Sequence, residues 1–225
     1  MANRYDAELS ALLVKLDEIS QSLRWADSAS LGSSPIQKQV AQLVISTSYV
    51  LAAAAIEEYM REMVNGLCRE ICKARPTFSA LRSSLVSVFA GSQISSMRDL
   101  KDYEKIWEKR REFSNLFSST NLVDVENTET PIDGKTIRPV HVETIWQVFG
   151  FEEQPFTSAL YRASLTDIAD GRNDVAHGHT SIKKFAHKKG APDTDKKIQR
   201  IQELALHFTI HAERYIEKKL YLKST

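Results

Sequence analysis

Three observations in this sequence of 225 residues predict an all-α fold. Apolar residues recur at helical spacing through most of the chain, the breaks between periodic stretches carry glycine, proline or serine, and only one short segment has strand-like character. Hydrophobic residues make up 42% and charged residues 26%, which is enough apolar material for one well-filled core or at most two small ones. Neither an internal repeat nor a dividing linker is visible, so the expected architecture is a single helical domain over residues 1–225, a bundle around one long central helix.

The first helix is expected from Arg4 to about Trp25, with Leu9, Leu12, Leu13, Leu16, Ile19 and Leu23 on one stripe. Ser28 to Pro35 breaks it, and Pro35 then suits the first turn of a second helix running to Lys73. Tyr49, Ala52, Ile56, Met60, Met63, Leu67 and Ile71 mark the inner face of that second helix. Between Val50 and Ile56 every position is apolar or alanine, which predicts a helix covered all round and names it as the central one.

Arg75-Pro76 stops the central helix, and a shorter apolar segment from Leu81 to Phe89 closes at Gly91. Ser96-Met97-Arg98-Asp99 offers a helix start, after which Leu100, Tyr103, Trp107, Arg110 and Phe117 keep a helical period. The opposite face of that helix mixes charge signs and reads as a solvated surface. Asn121 to Val140 holds two β-prone runs around Pro131-Ile132-Asp133-Gly134, predicting an ordered loop or small hairpin with an Asp-Gly turn. A short helix from Val142 to Phe149 ends at Gly150, and another leads from Phe156 to Asp170. Lys183, Lys184, His187, Lys188 and Lys189 fall in a predicted loop with Gly190 and Pro192, close enough in sequence to the next motif to touch an RNA backbone. Asp193 or Thr194 is the expected cap of a final helix whose buried stripe is Ile198, Ile201, Ala205, Phe208, Ala212, Tyr215 and Ile216.

Several function classes lose support at this level. A net charge of +1 gives no global attraction to nucleic acid, so any RNA contact must be local. Cys68 and Cys72, four residues apart on a helix, match neither a zinc pair nor a disulfide framework and read as small buried side chains. His207 and His211 have metal-ligand spacing, but the HExxH signature would need glutamate where Phe208 stands. His141-Val142-Glu143 imitates the H-x-E of zinc deaminases without the P-C-x-x-C that must follow. P-loop, GxSxG and GxGxxG signatures are missing, and neither a metal nor a cofactor is expected. The N-terminal residues lack a basic stretch followed by an apolar block, and the run from Val50 to Ile56 is too short to cross a bilayer, so the expected setting is a reducing cytoplasm without membrane contact.

The richest chemistry lies in Gly171-Arg172-Asn173-Asp174-Val175-Ala176-His177-Gly178-His179. It gathers an obligate cation, small polar groups and imidazoles between glycines. Five positions on an ideal helix separate Arg172 from His177 by about 140° and about 7.5 Å of rise, so the two do not share a face. Either the helix ends at Gly171 and the segment refolds, or a second subunit brings the groups together.

Arg172-Asn173 followed by His177 resembles the R-polar-x-H signature of HEPN domains, and Arg-Asn-Asp-Val-Ala-His-Gly is close to that family's usual wording. Ala55-Ile56-Glu57-Glu58-Tyr59-Met60-Arg61 resembles the alanine-rich, acid-ending helix of bacterial HEPN branches, the RiboL-PSP-HEPN branch or the similar MAE-like branch. The resemblance covers Ile36 to Tyr221. It implies a HEPN-like helical bundle that forms a homodimer with its two motifs facing each other, acting as a metal-independent endoribonuclease in a toxin or defence role. An antitoxin or sensor protein is the further partner it suggests.

In that expectation two His177 imidazoles supply base and acid, and two Arg172 guanidiniums hold phosphate oxygens. Asn173 bonds phosphate or orients His177, unless it is a simple turn or cap residue, and Asp174 reads as a cap. Glu57 holds Arg172 by a charge-assisted bond or is merely a solvated carboxylate. His179, Lys183 and Lys184 are supporting substrate contacts, against the blander reading of exposed side chains. Two other functions remain open: a HEPN module that binds RNA or nucleotide and dimerises without cutting, and a purely structural helical domain.

Overall fold

In a computed structural model the described residues are 4–32, 34–132, 134 and 136–223. Among them the chain forms nine α-helices and one 3-10 turn, without a β-strand: α1 (Asp6–Leu31), α2 (Pro35–Lys73), α3 (Ser83–Phe89), α4 (Gly91–Arg98), α5 (Tyr103–Leu116), α6 (Pro139–Phe149), α7 (Ala159–Ala176), α8 (Ile182–Lys189) and α9 (Ala191–Glu217). The all-α class expected from the periodicity is therefore the observed one.

Helix α2 organises the rest. Ser34 caps it by accepting from the Gln37 amide, Pro35 fills its first turn, and α1, α7, α8 and α9 all pack on it. Its length and apolar composition would suffice to cross a membrane, yet half of its most apolar window is buried against these neighbours, as in the core helix of a bundle. All seven residues predicted for its inner face are buried. Deep in the core, the Tyr59 hydroxyl donates to the Ala205 carbonyl at 2.8 Å and lies 2.8 Å from Thr209 Oγ1, tying α2 to α9 with no unsatisfied phenol. Buried side chains from every helix except α4 join one hydrophobic cluster.

Several boundaries differ from the sequence expectation. Helix α1 continues through Ser28 to Leu31, where the Ser28 and Ser30 hydroxyls donate to carbonyls of the preceding turn instead of breaking the helix. Helix α5 starts at the Asp102 cap, whose carboxylate accepts from the Glu104 and Lys105 amides, and not at Ser96, which lies inside α4. The segment before α6 is a loop with one isolated bridge, Thr77 to Leu122, so the hairpin alternative fails; Asp133 of the expected Asp-Gly turn lies outside the described residues. Residues 182–189 are helix α8, capped by Ser181, and not a loop. Gly190, with Pro192 close behind it, starts α9, so neither Asp193 nor Thr194 is its cap. Nor is α2 covered all round: Leu51 is 57% exposed, and Ile36, Val40 and Leu43 are exposed with it.

Candidate functional site

Helix α7 carries the motif, and its anchorage begins one turn earlier. Asp167 accepts from the Tyr49 hydroxyl at 3.2 Å, pairs with the Lys189 ammonium, and pairs with Lys197 at 2.8 Å. Four elements, α2, α7, α8 and α9, thus meet at one carboxylate. Burial alone would raise the Asp167 pKa, but the two ammoniums outweigh it and hold the carboxyl below its ordinary range. The Tyr49 phenol is pushed up to about 12, chiefly by burial. Lys189, expected in a solvated loop, is instead mostly buried, with its ammonium 5.4 Å from the Tyr49 ring centre.

Gly171 is required by the same junction. A Cβ built there would meet Tyr49 Cδ1 at 2.2 Å, so only glycine lets α7 lie this close to α2. The helix does not end at that residue, which removes the refolding option. It runs regularly to Ala176, and His177 is its C-cap, with its amide still bonded to the Asn173 carbonyl at 3.0 Å. Gly178 follows at φ 65°, its amide bonding the Val175 carbonyl while the His179 amide bonds the Asp174 carbonyl at 3.1 Å. That pair of reversed bonds is a Schellman end, and it explains why glycine stands at 178.

The motif is consequently split between two surfaces of one chain. Arg172 and Asn173 line a cleft of about 480 Å³ together with Glu57 from α2, Gly134 and Thr136 from the preceding loop, and Arg138 and His141 at the start of α6. His177 is exposed at the helix end and is not part of that cleft wall. Its ring stacks on His179, centre to centre 5.5 Å at 25°.

Asn173 is neither a cap nor a turn residue: it sits inside α7, and its Oδ1 accepts from Arg172 Nη1 at 3.2 Å. The bond fixes the guanidinium from below and leaves most of its donor fork open. Asp174 is likewise inside the helix, with its carboxylate 3.8 Å from His179 Nδ1. Glu57 lines the same cleft as Arg172, but among the described residues the two form no ion pair, so the expected charge-assisted bond is not made. Lys183 and Lys184 are exposed in the first turn of α8, outside the cleft.

Sequence reasoning passed over Arg138 and weighed His141 only as part of an H-x-E pattern. Arg138 pairs with Asp170 of α7 at 2.8 Å, and His141 Nδ1 accepts from the Arg138 amide at 3.0 Å, forming half of a capping box at the N-terminus of α6. The signal was present in Pro139, a strong marker of a first helical turn, two residues before a side chain able to cap. His207 and His211 serve the fold: they flank Trp146, with the His207 ring stacked on the indole at 5.7 Å, and His211 lies 3.3 Å from Glu153. Among the described residues no cluster of metal-ligating side chains occurs. Cys68 and Cys72 are free thiols, raised by burial to about 12 and about 11.

Fold and site together define a helical bundle with a polar helix-end motif beside a basic cleft. The RiboL-PSP-HEPN family model matches residues 7–214, and the chain belongs to that family. No curated protein and no solved structure matches it.

Proposed function

We propose that this protein is a metal-independent endoribonuclease whose site is completed across a homodimer, working in the cytoplasm as a toxin or defence effector. What carries the reading is the intact arginine, asparagine and histidine set, with Arg172 and Asn173 in the cleft and His177 on the exposed helix end, in a chain of the RiboL-PSP-HEPN family. Because α7 stays helical, Arg172 and His177 diverge within one chain, and a second α7 is the simplest source of the missing half.

The dimer has a further support. Ile36, Val40, Leu43 and Leu51 are exposed at helical spacing on α2, the helix against which α7 ends its run. An apolar stripe of this kind marks a protein contact more often than a free surface. A two-fold axis beside it would set two α7 ends face to face.

Cleavage then needs no cofactor. One His177 takes the proton of the ribose 2′-hydroxyl as its oxygen attacks phosphorus; the bond from phosphorus to the 5′-oxygen breaks, and the partner's His177 protonates the leaving oxygen. The products are a 2′,3′-cyclic phosphate and a 5′-hydroxyl. The Arg172 guanidiniums, held by Asn173, take the charge that gathers on the phosphorane oxygens. An antitoxin or sensor partner would act by covering or separating the two helix ends.

The test is cleavage of single-stranded RNA in EDTA, with product ends analysed. Cyclic phosphate ends from wild type, and none from Arg172→Ala or His177→Ala, are the expected outcome. RNA bound but left whole by wild type would make the protein a binding module instead.

A further inference from the structure

Helix α5 turns to water the face that its apolar period marks as inward. Tyr103 is 73% exposed, Trp107 51% and Phe117 37%, while Phe113 and Leu116 hold the helix to the core and α4 is its chief neighbour among the helices. Large apolar side chains grouped on one face mark a contact surface. We infer that this face binds single-stranded RNA, with its rings stacking on bases and Arg110 meeting the phosphates between them. The choice of RNA as ligand rests on the ribonuclease reading, whereas the surface itself lies on a different helix from the cutting motif.

Helical geometry sorts the side chains of α5. Tyr103, Trp107, Arg110, Ser114 and Phe117 fall within an arc of about 80°. Glu104, Glu108 and Glu112 lie at least about 60° outside that arc, beyond Arg111. Of the nearby acids, Asp102 is engaged as the N-cap, accepting from two backbone amides, and Glu112 pairs with Lys109 at 2.6 Å. The stripe thus holds rings and a guanidinium with no carboxylate among them. Its charge is positive and complements a phosphate chain.

The rings are arranged for stacking. Tyr103 and Trp107 stand one turn apart with centres separated by 6.2 Å, and the Arg110 guanidinium lies 5.1 Å from the indole centre. That cation–π contact keeps Arg110 in the stripe while its N–H groups, paired with no carboxylate among the described residues, stay free to meet phosphate oxygens. Every base has a π-face, so a surface of this kind holds single strands with little regard to sequence.

The exposed stripe of α2 differs in kind. Ile36, Val40, Leu43 and Leu51 are all aliphatic and offer no ring on which a base could stack. On α5 the aliphatic side chains are the covered ones, Ile106 half-buried and Leu116 buried, and the exposed ones are aromatic. An aliphatic stripe suits a second copy of the chain; an aromatic stripe with a guanidinium suits RNA. A local surface of this kind also reconciles RNA binding with a net charge of only +1.

The experiment measures binding of a 2′-O-methyl RNA oligonucleotide by fluorescence anisotropy over a salt series, for wild type, Trp107→Ala, Trp107→Leu, Trp107→Phe and Arg110→Ala. Sedimentation of each variant and cleavage of ordinary RNA accompany it. Both positions are exposed, so the variants should melt as wild type does. Trp107→Ala is expected to weaken binding about tenfold, within the usual loss for one stacked base. Trp107→Leu, which keeps apolar surface without a ring, should lose as much, while Trp107→Phe should stay within about threefold of wild type. Arg110→Ala should lower the salt slope by about 0.7. Wild-type affinity in Trp107→Ala, with RNA still cut, would overturn the stacking surface alone. Affinity kept by Trp107→Leu and lost by Trp107→Ala would make the contact plain apolar packing and overturn it too. A monomeric Trp107→Ala, beside a dimeric wild type, would assign the face to a second copy and remove RNA from it. Wild type that binds RNA through Trp107 but leaves it whole would keep the stacking surface and end the ribonuclease reading. Wild type that neither binds nor cuts RNA would end both.

Discussion

Two pairs of histidines stand in this chain, and their surroundings are opposite. His207 and His211 lie on consecutive turns of α9 with ring centres 4.4 Å apart, packed against Trp146 and, at His211, against Phe151 and Glu153. His177 and His179 stack at 5.5 Å within the Schellman turn of an exposed helix end and, among the described residues, meet no other ring. Spacing gave the first pair a metal-ligand pattern, but the missing HExxH glutamate already spoke against it. Packing agrees: imidazoles held against Trp146 and Phe151 serve the fold, while one on an exposed helix end is able to reach substrate or a second chain.

The largest effect that sharpens this contrast is on rate. His177→Ala should lower RNA cleavage by about 10²–10⁴-fold, the ordinary contribution of a general acid or base, with no change in melting temperature. His207→Ala, by contrast, should leave kcat within twofold. Equal losses from both would end the distinction.

Next in size is the contact that completes the open pair. Leu51→Glu places a charge on the exposed stripe of α2 without touching the core. Sedimentation should show it monomeric, and its specific activity should fall at least about tenfold, since a monomer leaves Arg172 and His177 apart. A monomeric variant with full activity would locate the whole site in one chain.

A third prediction concerns how the open end is held. Gly171→Ala drives a methyl group into Tyr49, so chemical denaturation should show about 1–3 kcal/mol of destabilisation, the usual cost of overpacking.

The smallest effect belongs to the closed pair and depends on pH. Burial, aided by the neighbouring His207 and Arg214 and opposed by Glu153, holds the His211 pKa below its ordinary value. The folded state thus binds fewer protons at this site than the unfolded chain. The stability that comes from keeping the ring neutral is complete above the ordinary imidazole value of about 6.5 and is lost as pH falls from there through the depressed folded value. Thermal melts from pH 7.5 to 5 should therefore decline, and His211→Gln should flatten that decline.

Much of the fold is legible in the sequence. The long helix from Pro35 to Lys73 is marked at both ends, by proline and by Arg75-Pro76, and its inner face by an unbroken apolar period. The motif is legible too, because Arg172 and His177 need only be counted to be seen as divergent. What the sequence hides are contacts between elements distant along the chain. No local pattern tells that Lys189 pairs with Asp167 and Lys197 with both Asp167 and Asp193, and lysines near a glycine and a proline ordinarily read as solvent-facing. The exposure of Leu51 is hidden for a related reason, since in an apolar run an exposed leucine looks the same as one that meets the core. Arg138 and His141 do not stand out because the cleft they share with Arg172 is assembled from three separate segments.

The central claim is that each cutting site draws on both chains. It is tested most directly by a mixed dimer, co-expressed with two affinity tags and purified through both, in which one chain is wild type and the other His177→Ala. If base and acid come from different chains, the mixed dimer should cut RNA at less than about one tenth of the wild-type rate. Retention of half the wild-type rate would mean two independent sites and would contradict the account.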